Sequence, residues 1–277
     1  MTNLLDIKKL SVSFQTEYET TYAVRDVSIT LSPGEVLGIV GESGAGKSTI
    51  GNAIVNLLEP PGEITTGEVL FKGQDLRNLD DKEMRDVRGK KIGMIFQDPQ
   101  TSLNPLMTIG AQLIETINKT INLYGSEATN KAIELLESVG IDEPEARLNL
   151  YPHQFSGGMR QRVVIALALA GDPDLIIADE PTTALDVSIQ AQILDLIKKL
   201  CQERQVGVII ITHDIGVIAN ISDRVTVMFN GQAVESGEVK QILTNPKHEY
   251  TKSLIAAVPR GDRKVERFKS IDYIEGG

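Results

Sequence analysis

Apolar and polar side chains alternate over the first part of the chain. Residues 4–14 and 24–31 both follow this period of two, which is typical of strands that bury one face and expose the other. Ser32, Pro33 and Gly34 then predict a turn. We therefore expect half-buried antiparallel strands at the start of the protein.

After this turn the pattern changes to short, fully apolar runs. Residues 36–40, 175–178 and 208–211 are three such runs, and runs of this kind are typical of parallel strands that are buried on both faces. Apolar residues at helical spacing follow the first run as far as Pro60 and also separate the other two. The pattern predicts an α/β fold with a mostly parallel core sheet and right-handed crossovers.

Between these runs, residues 98–160 have a different character. Glycine and proline punctuation is followed by helical runs, and Gly140 is expected to end one of these helices. We interpret this stretch as a helical subdomain inserted into one domain of residues 1–259. Residues 260–277 are predicted to be a short polar C-terminal tail.

Composition narrows the function classes. The chain has 28 basic and 38 acidic residues, a net charge of −10, so we expect no nucleic acid partner. Cys201 is its one cysteine, which excludes an internal disulfide and a cysteine metal cluster; its place on a helical stripe indicates packing rather than redox sensing. No run reaches the roughly 18 apolar residues of a membrane span. Any membrane role is predicted to be peripheral.

A phosphate loop is predicted directly after the first apolar run. Residues 41–48 read GESGAGKS, which matches the pattern of glycine, four residues, glycine, lysine and serine or threonine. Glycines let backbone amides close around phosphate oxygens, and the following helix presents its positive end. We expect Lys47 to reach the β and γ phosphates of ATP and Ser48 to ligate Mg²⁺, whereas the alternative is a glycine-rich turn without a ligand. The predicted ATP contacts in this loop are Gly41, Glu42, Ser43, Gly44, Ala45, Gly46, Lys47, Ser48 and Thr49.

Two carboxylates follow the second apolar run. Asp179 and Glu180 come directly after residues 175–178, at the strand edge where open α/β sheets bind ligands. We expect Asp179 to bind magnesium and Glu180 to act as the general base toward water. An acidic pair at a strand end also serves as a helix cap or a solvated turn, but the upstream phosphate loop favours the catalytic interpretation.

A further motif occurs at Ser156, where the sequence SGGMRQ opens a helical run. It resembles the signature motif of ABC transporter ATPases, usually written LSGGQ, although Phe155 and Met159 replace the leucine and glutamine. Gln97 in IFQDP resembles the Q-loop of that family, residues 184–186 (ALD) the D-loop, and His213 in ITHD the switch histidine. The motifs stand in the order expected for the family.

The resemblance implies a P-loop NTPase ABC ATPase fold with an N-terminal antiparallel β subdomain and an inserted helical subdomain. It implies head-to-tail pairing, with Ser156, Gly157, Gly158 and Asp186 of one subunit closing over the ATP of the other. Gln97 would help to bind the metal and sense the γ phosphate, and His213 would hold the γ phosphate and the attacking water. Phe14 is expected to stack on adenine, in preference to Tyr22.

Three longer sequence segments indicate one branch of this family. FQDPQTSLNPLMTIG, YPHQFSGGMRQR and NPKHEYTKSLIAAVP are similar to the oligopeptide, dipeptide and nickel importer ATPases. Relatives often carry a C-terminal tail with four cysteines, which is absent here, so the substrate stays open between nickel or another small solute and peptides, and a shortened sequence is a further explanation.

The resemblance predicts an ATPase that powers solute uptake from the cytoplasmic face of the cell (inner) membrane. Its expected partners are a second copy or a related ATPase, transmembrane permease subunits and, indirectly, an external solute-binding protein. The alternatives are a soluble ABC ATPase of DNA repair or translation and an inactive regulatory subunit.

Overall fold

The computed structural model describes residues 3–16, 18–183 and 185–257. Its strands are β1 Leu5–Gln15, β2 Thr20–Leu31, β3 Val36–Val40, β4 Gly62–Phe71, β5 Gln74–Asp75, β6 Ile92–Ile95, β7 Leu175–Asp179, β8 Gly207–Thr212, β9 Arg224–Phe229 and β10 Gln232–Glu238. Its α-helices are α1 Lys47–Ile54, α2 Asp81–Val87, α3 Pro99–Ser102, α4 Ile109–Ile121, α5 Gly125–Ser138, α6 Pro144–Arg147, α7 Gly157–Leu169, α8 Val187–Arg204, α9 Ile215–Ile221, α10 Val239–Thr244 and α11 Glu249–Ala256.

The strands form two sheets. An antiparallel sheet has the order β2-β1-β4-β5, and a six-stranded sheet has the order β10-β9-β3-β8-β7-β6. In the larger sheet β6, β7, β8, β3 and β9 run parallel, and only the edge strand β10 is antiparallel. This arrangement confirms the predicted α/β class, with a mostly parallel core sheet and an N-terminal antiparallel sheet.

The side chains of the fully apolar strands pack into two separate cores. Val36 and Val40 of β3 face the core that the helices α4, α5, α7, α8 and α9 build, whereas Leu37 and Ile39 face the core shared with the antiparallel sheet and α1. Neighbouring side chains of a strand point to opposite faces, so a strand covered on both sides must be apolar at every position. This explains why β3 and β8 lack polar alternation.

Helices α3 to α7 lie between β6 and β7 in the chain, as the helical character of residues 98–160 predicted. Gly140, at φ +73°, ends α5. Its amide bonds to Glu137 and the next amide bonds to Leu136, which is the Schellman arrangement. The division into residues 1–259 with an inserted subdomain stays a prediction, and the predicted tail, residues 260–277, lies outside the described residues.

Several elements were not predicted from the pattern. They are β4 to β6, α2, α9, β9, β10 and the C-terminal helices α10 and α11. Strand β6 has four residues and β10 is largely polar, so neither gives a clear periodic signal. Their places are set by pairing with neighbouring strands. Among the described residues, no helix has the length and apolarity needed to cross a lipid bilayer.

Close packing between β6 and α7 gives a test of this fold. A Cβ atom at Gly93 would lie 2.3 Å from the backbone oxygen of Ala168, which cannot move without displacing α7. We expect Gly93→Ala to lower the free energy of unfolding by about 1–3 kcal/mol, measured by urea denaturation. Gly237→Ala is the matched control, because its Cβ would meet only side-chain atoms, those of Ile242 and Gln241, at 3.4 Å or more. Equal stability of the two variants would contradict this packing.

Candidate active site

The predicted phosphate loop joins the end of β3 to the start of α1. Gly44 and Gly46 have φ angles of +82° and +90°, a region that disfavours side chains. A Cβ atom at Gly46 would also lie 2.1 Å from the Ala23 backbone oxygen, and one at Gly41 would lie 2.1 Å from that of Met228. The glycines are therefore required both by the turn and by close contact with β2 and β9.

The Lys47 ammonium lies inside this loop. Lys47 is 5% exposed, and its Nζ donates hydrogen bonds to the backbone oxygens of Gly41 and Glu42, each at 2.8 Å. Burial lowers the pKa of Lys47, while the nearby charges of Glu180 and Asp179 oppose that effect. The ammonium is held by neutral carbonyls and can exchange them for phosphate oxygens, which form stronger charge-assisted bonds.

Ser48 and Asp179 meet beside the lysine. The Ser48 hydroxyl donates to Asp179 Oδ1 at 3.0 Å, and burial raises the pKa of Asp179 although this hydrogen bond counteracts it. These two adjacent oxygens would suit Mg²⁺, which prefers oxygen ligands and is commonly held by one or two carboxylates together with substrate phosphates. In the part of the chain that the structure describes, no cluster of three His, Cys, Asp or Glu side chains could hold a metal by itself.

Glu180 is held by three side chains. Its Oε2 accepts hydrogen bonds from Gln97 Nε2 at 3.0 Å and from the Thr183 hydroxyl at 2.8 Å, and its Oε1 lies 3.0 Å from His213 Nδ1. Burial alone would raise the pKa of Glu180, but the hydrogen bonds from His213 and Thr183 outweigh it and hold the pKa below its ordinary value. A φ of +46° at Glu180 adds backbone strain. The carboxylate is thus ionised and fixed in orientation.

Most of these residues share one cavity of about 790 Å³, but Asp179 is not part of its lining. The lining contains most of the phosphate loop together with Gln97, Glu180 and His213, which lie far apart in the sequence. Thr183 and Ala23 also line it, and neither was predicted. Thr183 falls in a turn with no pattern of its own, and Ala23 contributes through the position of its backbone rather than through its chemistry.

The predicted adenine contact is not part of this lining. Phe14 lies on β1, and its ring packs where a Cβ of Gly62 would be, 2.7 Å away. Tyr22, the weaker candidate, is exposed and lies under the Arg25 guanidinium at 5.6 Å. The role of Phe14 in adenine stacking stays a prediction.

The signature residues form a second region outside the cavity lining. Ser156 caps α7, its hydroxyl accepting from the Met159 amide at 3.3 Å. A Cβ at Gly158 would meet Ile189 of α8 at 2.7 Å, so the signature packs beside the start of α8. Asp186 is the cap residue of that helix, while Ala184 lies outside the described residues. Ser156, Gly157 and Asp186 are exposed, which leaves this region free to contact another molecule.

Comparison with known families agrees with these motifs. Residues 24–183 match the family described as ABC transporter. Residues 234–275 match the family described as oligopeptide/dipeptide transporter, C-terminal region.

Curated relatives are similar over nearly the whole chain. The oligopeptide transport ATP-binding protein OppD of Bacillus subtilis (strain 168) is 55% identical over 94% of this chain and 73% of its own length. The dipeptide transport ATP-binding protein DppD of the same organism is 50% identical over 98% of this chain and 82% of its own length.

Solved structures agree on the fold. The dimeric ATP-binding cassette MJ0796 in a post-hydrolysis state, bound to ADP and Pi, is 33% identical, with a TM-score of 0.75 over 85% of this chain and 98% of that chain. Another dimeric structure of MJ0796, described as a bacterial ABC transporter cassette, is 34% identical with a TM-score of 0.74 and the same coverage. The chain therefore belongs to the ABC transporter family and is one of its ATP-hydrolysing, ATP-binding subunits.

Proposed function

We propose that this subunit couples ATP hydrolysis to the uptake of peptides through a membrane permease. The observation that carries the catalytic part is the Glu180 carboxylate, fixed by Gln97, Thr183 and His213 beside the phosphate loop. The transport part is supported by the relatives, which are named for oligopeptide and dipeptide transport.

The residues of this site have separate tasks in this proposal. Lys47 leaves its carbonyl partners and binds the β and γ phosphates, while the loop amides enclose them. Ser48 and Asp179, with Gln97, would hold Mg²⁺, which supplies positive charge to the phosphates when it is bound. The loop and these oxygen ligands thus orient the γ phosphate toward Glu180.

Glu180 then acts on water. A water oxygen attacks the γ phosphorus, the bond from that phosphorus to the β–γ bridging oxygen breaks, and Glu180 accepts the proton of the water. His213, at 3.0 Å from Glu180, orients the carboxylate and the γ phosphate. The products are ADP and inorganic phosphate.

A second subunit completes the site. Ser156, Gly157 and Asp186 are exposed and do not line the cavity of their own chain. Val187 beside them is 83% exposed. A glycine-rich helix start is an anion site, so this surface suits the γ phosphate held by another subunit, either a second copy or a related ATPase. The dimeric state of MJ0796 supports this arrangement.

The permease is proposed to bind near Gln97. Phe96 and Leu57 are 46% and 42% exposed, and both line a cavity of about 290 Å³ with Met94 and Val164. Because Gln97 follows Phe96 and bonds to Glu180, movement of a docked permease loop reaches the catalytic carboxylate through one residue. In this proposal the subunit works at the cytoplasmic face of the membrane, with an external solute-binding protein as an indirect partner.

Peptides are favoured over nickel as substrate because the relatives described above are peptide transport proteins. The match to the oligopeptide/dipeptide C-terminal region supports the same class. No comparison supports the soluble alternative in DNA repair or translation, and the net charge of −10 disfavours it.

Glu180→Gln tests the general base. We expect turnover to fall by about 10²–10⁴-fold, measured as phosphate release, because the amide cannot accept the proton of water. MgATP affinity, measured by calorimetry, should stay near the wild-type value because the phosphate loop is intact. Glu63→Gln, at an exposed position on β4, is the control. Turnover within threefold of wild type would refute the base assignment.

Uptake in proteoliposomes tests the transport role. The subunit, copurified with its permease and given the solute-binding protein outside, should accumulate labelled oligopeptide only with ATP inside, and Glu180→Gln should abolish accumulation. Accumulation of nickel ions without peptide would contradict the proposed substrate. Failure of any permease to copurify would contradict the transport role.

A further inference from the structure

The C-terminal helix α11 reaches the phosphate loop directly. The hydroxyl oxygen of Tyr250 accepts a hydrogen bond from the backbone amide of Glu42 at 2.9 Å. The two residues are 208 positions apart in the sequence. We propose that Tyr250 is a positioning residue that holds the first peptide of the phosphate loop in the conformation that binds ATP. The proposal rests on ATP binding at that loop and not on the identity of the transported substrate.

The peptide between Gly41 and Glu42 is held from both sides. Lys47 Nζ donates to the Gly41 oxygen at 2.8 Å, and the amide on the other side of the same peptide bond donates to Tyr250. Lys47 and Tyr250 thus fix the orientation of one peptide plane together.

Binding of ATP changes the hydrogen bonds on this peptide. When Lys47 turns to the phosphates, as the proposed function requires, the Gly41 oxygen loses its ammonium partner. Tyr250 is then the remaining side-chain hydrogen bond on this peptide. The tyrosine therefore contributes most when nucleotide is bound, and its loss should weaken ATP binding.

Neighbouring residues fix the position of the Tyr250 ring. Its ring packs on Phe229 at the end of β9, with ring centroids 4.3 Å apart. The preceding residue of β9, Met228, supplies the backbone oxygen that lies against Gly41. The end of β9 therefore contacts both the start of the phosphate loop and Tyr250, the residue that restrains this loop.

A second set of hydrogen bonds holds the backbone in place at the start of α11. The Glu235 carboxylate of β10 accepts from the amides of Lys247 and His248 at 2.8 and 3.0 Å. His248 Nδ1 in turn accepts from the Tyr250 amide at 3.1 Å and caps the helix. The segment matched to the oligopeptide/dipeptide C-terminal region is thereby connected to the phosphate loop through a short series of hydrogen bonds.

Tyr250→Phe is the direct test, because it keeps the ring on Phe229 and removes only the hydroxyl. We expect the Kd for MgATP, measured by calorimetry on the full chain in a Glu180→Gln background, to rise about twofold to tenfold. In the otherwise wild-type chain, KM for ATP should rise by a similar factor while kcat at saturating ATP stays within twofold. Tyr124→Phe, on a ring that is 61% exposed, is the matched control and should leave Kd unchanged.

A double-mutant cycle identifies the contact. Glu42→Pro deletes the amide hydrogen that Tyr250 accepts, so adding Tyr250→Phe to it should change Kd by less than about 1.5-fold. An equal effect of Tyr250→Phe with and without Glu42→Pro would overturn the assigned contact. If Glu42→Pro does not fold, the Kd values of Tyr250→Phe and Tyr124→Phe still show whether the Tyr250 hydroxyl supports ATP binding.

Two outcomes separate this proposal from the proposed function. A wild-type Kd in Tyr250→Phe, with or without a lower thermal midpoint, would overturn the positioning role and reduce Tyr250 to a packing residue. Absence of ATP binding in the wild-type chain would instead refute the site itself.

Discussion

The burial of one positive charge organises the active site. Lys47 is 5% exposed, and an ammonium in such a place is costly unless its protons are hydrogen-bonded. Two carbonyls of its own loop provide those bonds, and this requires the loop to fold back over the lysine. Glycines at the tight contacts with Ala23 and Met228 make that fold possible. Hydrogen bonds and contacts within this chain therefore hold the loop in shape, which reduces the ordering that ATP binding requires.

The parallel sheet supplies the other groups because its strands end at the same edge. Asp179 ends β7, Glu180 follows it, and His213 follows β8, so the order β3-β8-β7 places lysine, histidine and carboxylates next to one another. Both faces of these strands are buried in separate cores. A rigid, doubly covered sheet fixes the groups of the proposed active site, while the signature residues remain exposed, as the proposed pairing with a second subunit requires.

The sequence allowed prediction of the central strands and of the groups at their ends, because an apolar run followed by GESGAGKS is a local signal. Thr183 and Tyr250 carry no such signal. Their hydrogen bonds to Glu180 and Glu42 arise from pairing and packing across the chain. Strand β6 was not predicted either, because its four residues are too few to show the alternation typical of a strand. The role of Phe14 toward adenine has no comparable local signal, because Phe14 lies on β1 outside the phosphate loop.

In the proposed function the Lys47 ammonium exchanges loop carbonyls for ATP phosphates. Calorimetry of MgATP binding to Lys47→Ala, beside Lys240→Ala at an exposed position, tests it most directly. Loss of a charged hydrogen-bond donor should raise Kd about tenfold to hundredfold in Lys47→Ala and leave Lys240→Ala at the wild-type value. Equal affinities in the two variants would contradict the account.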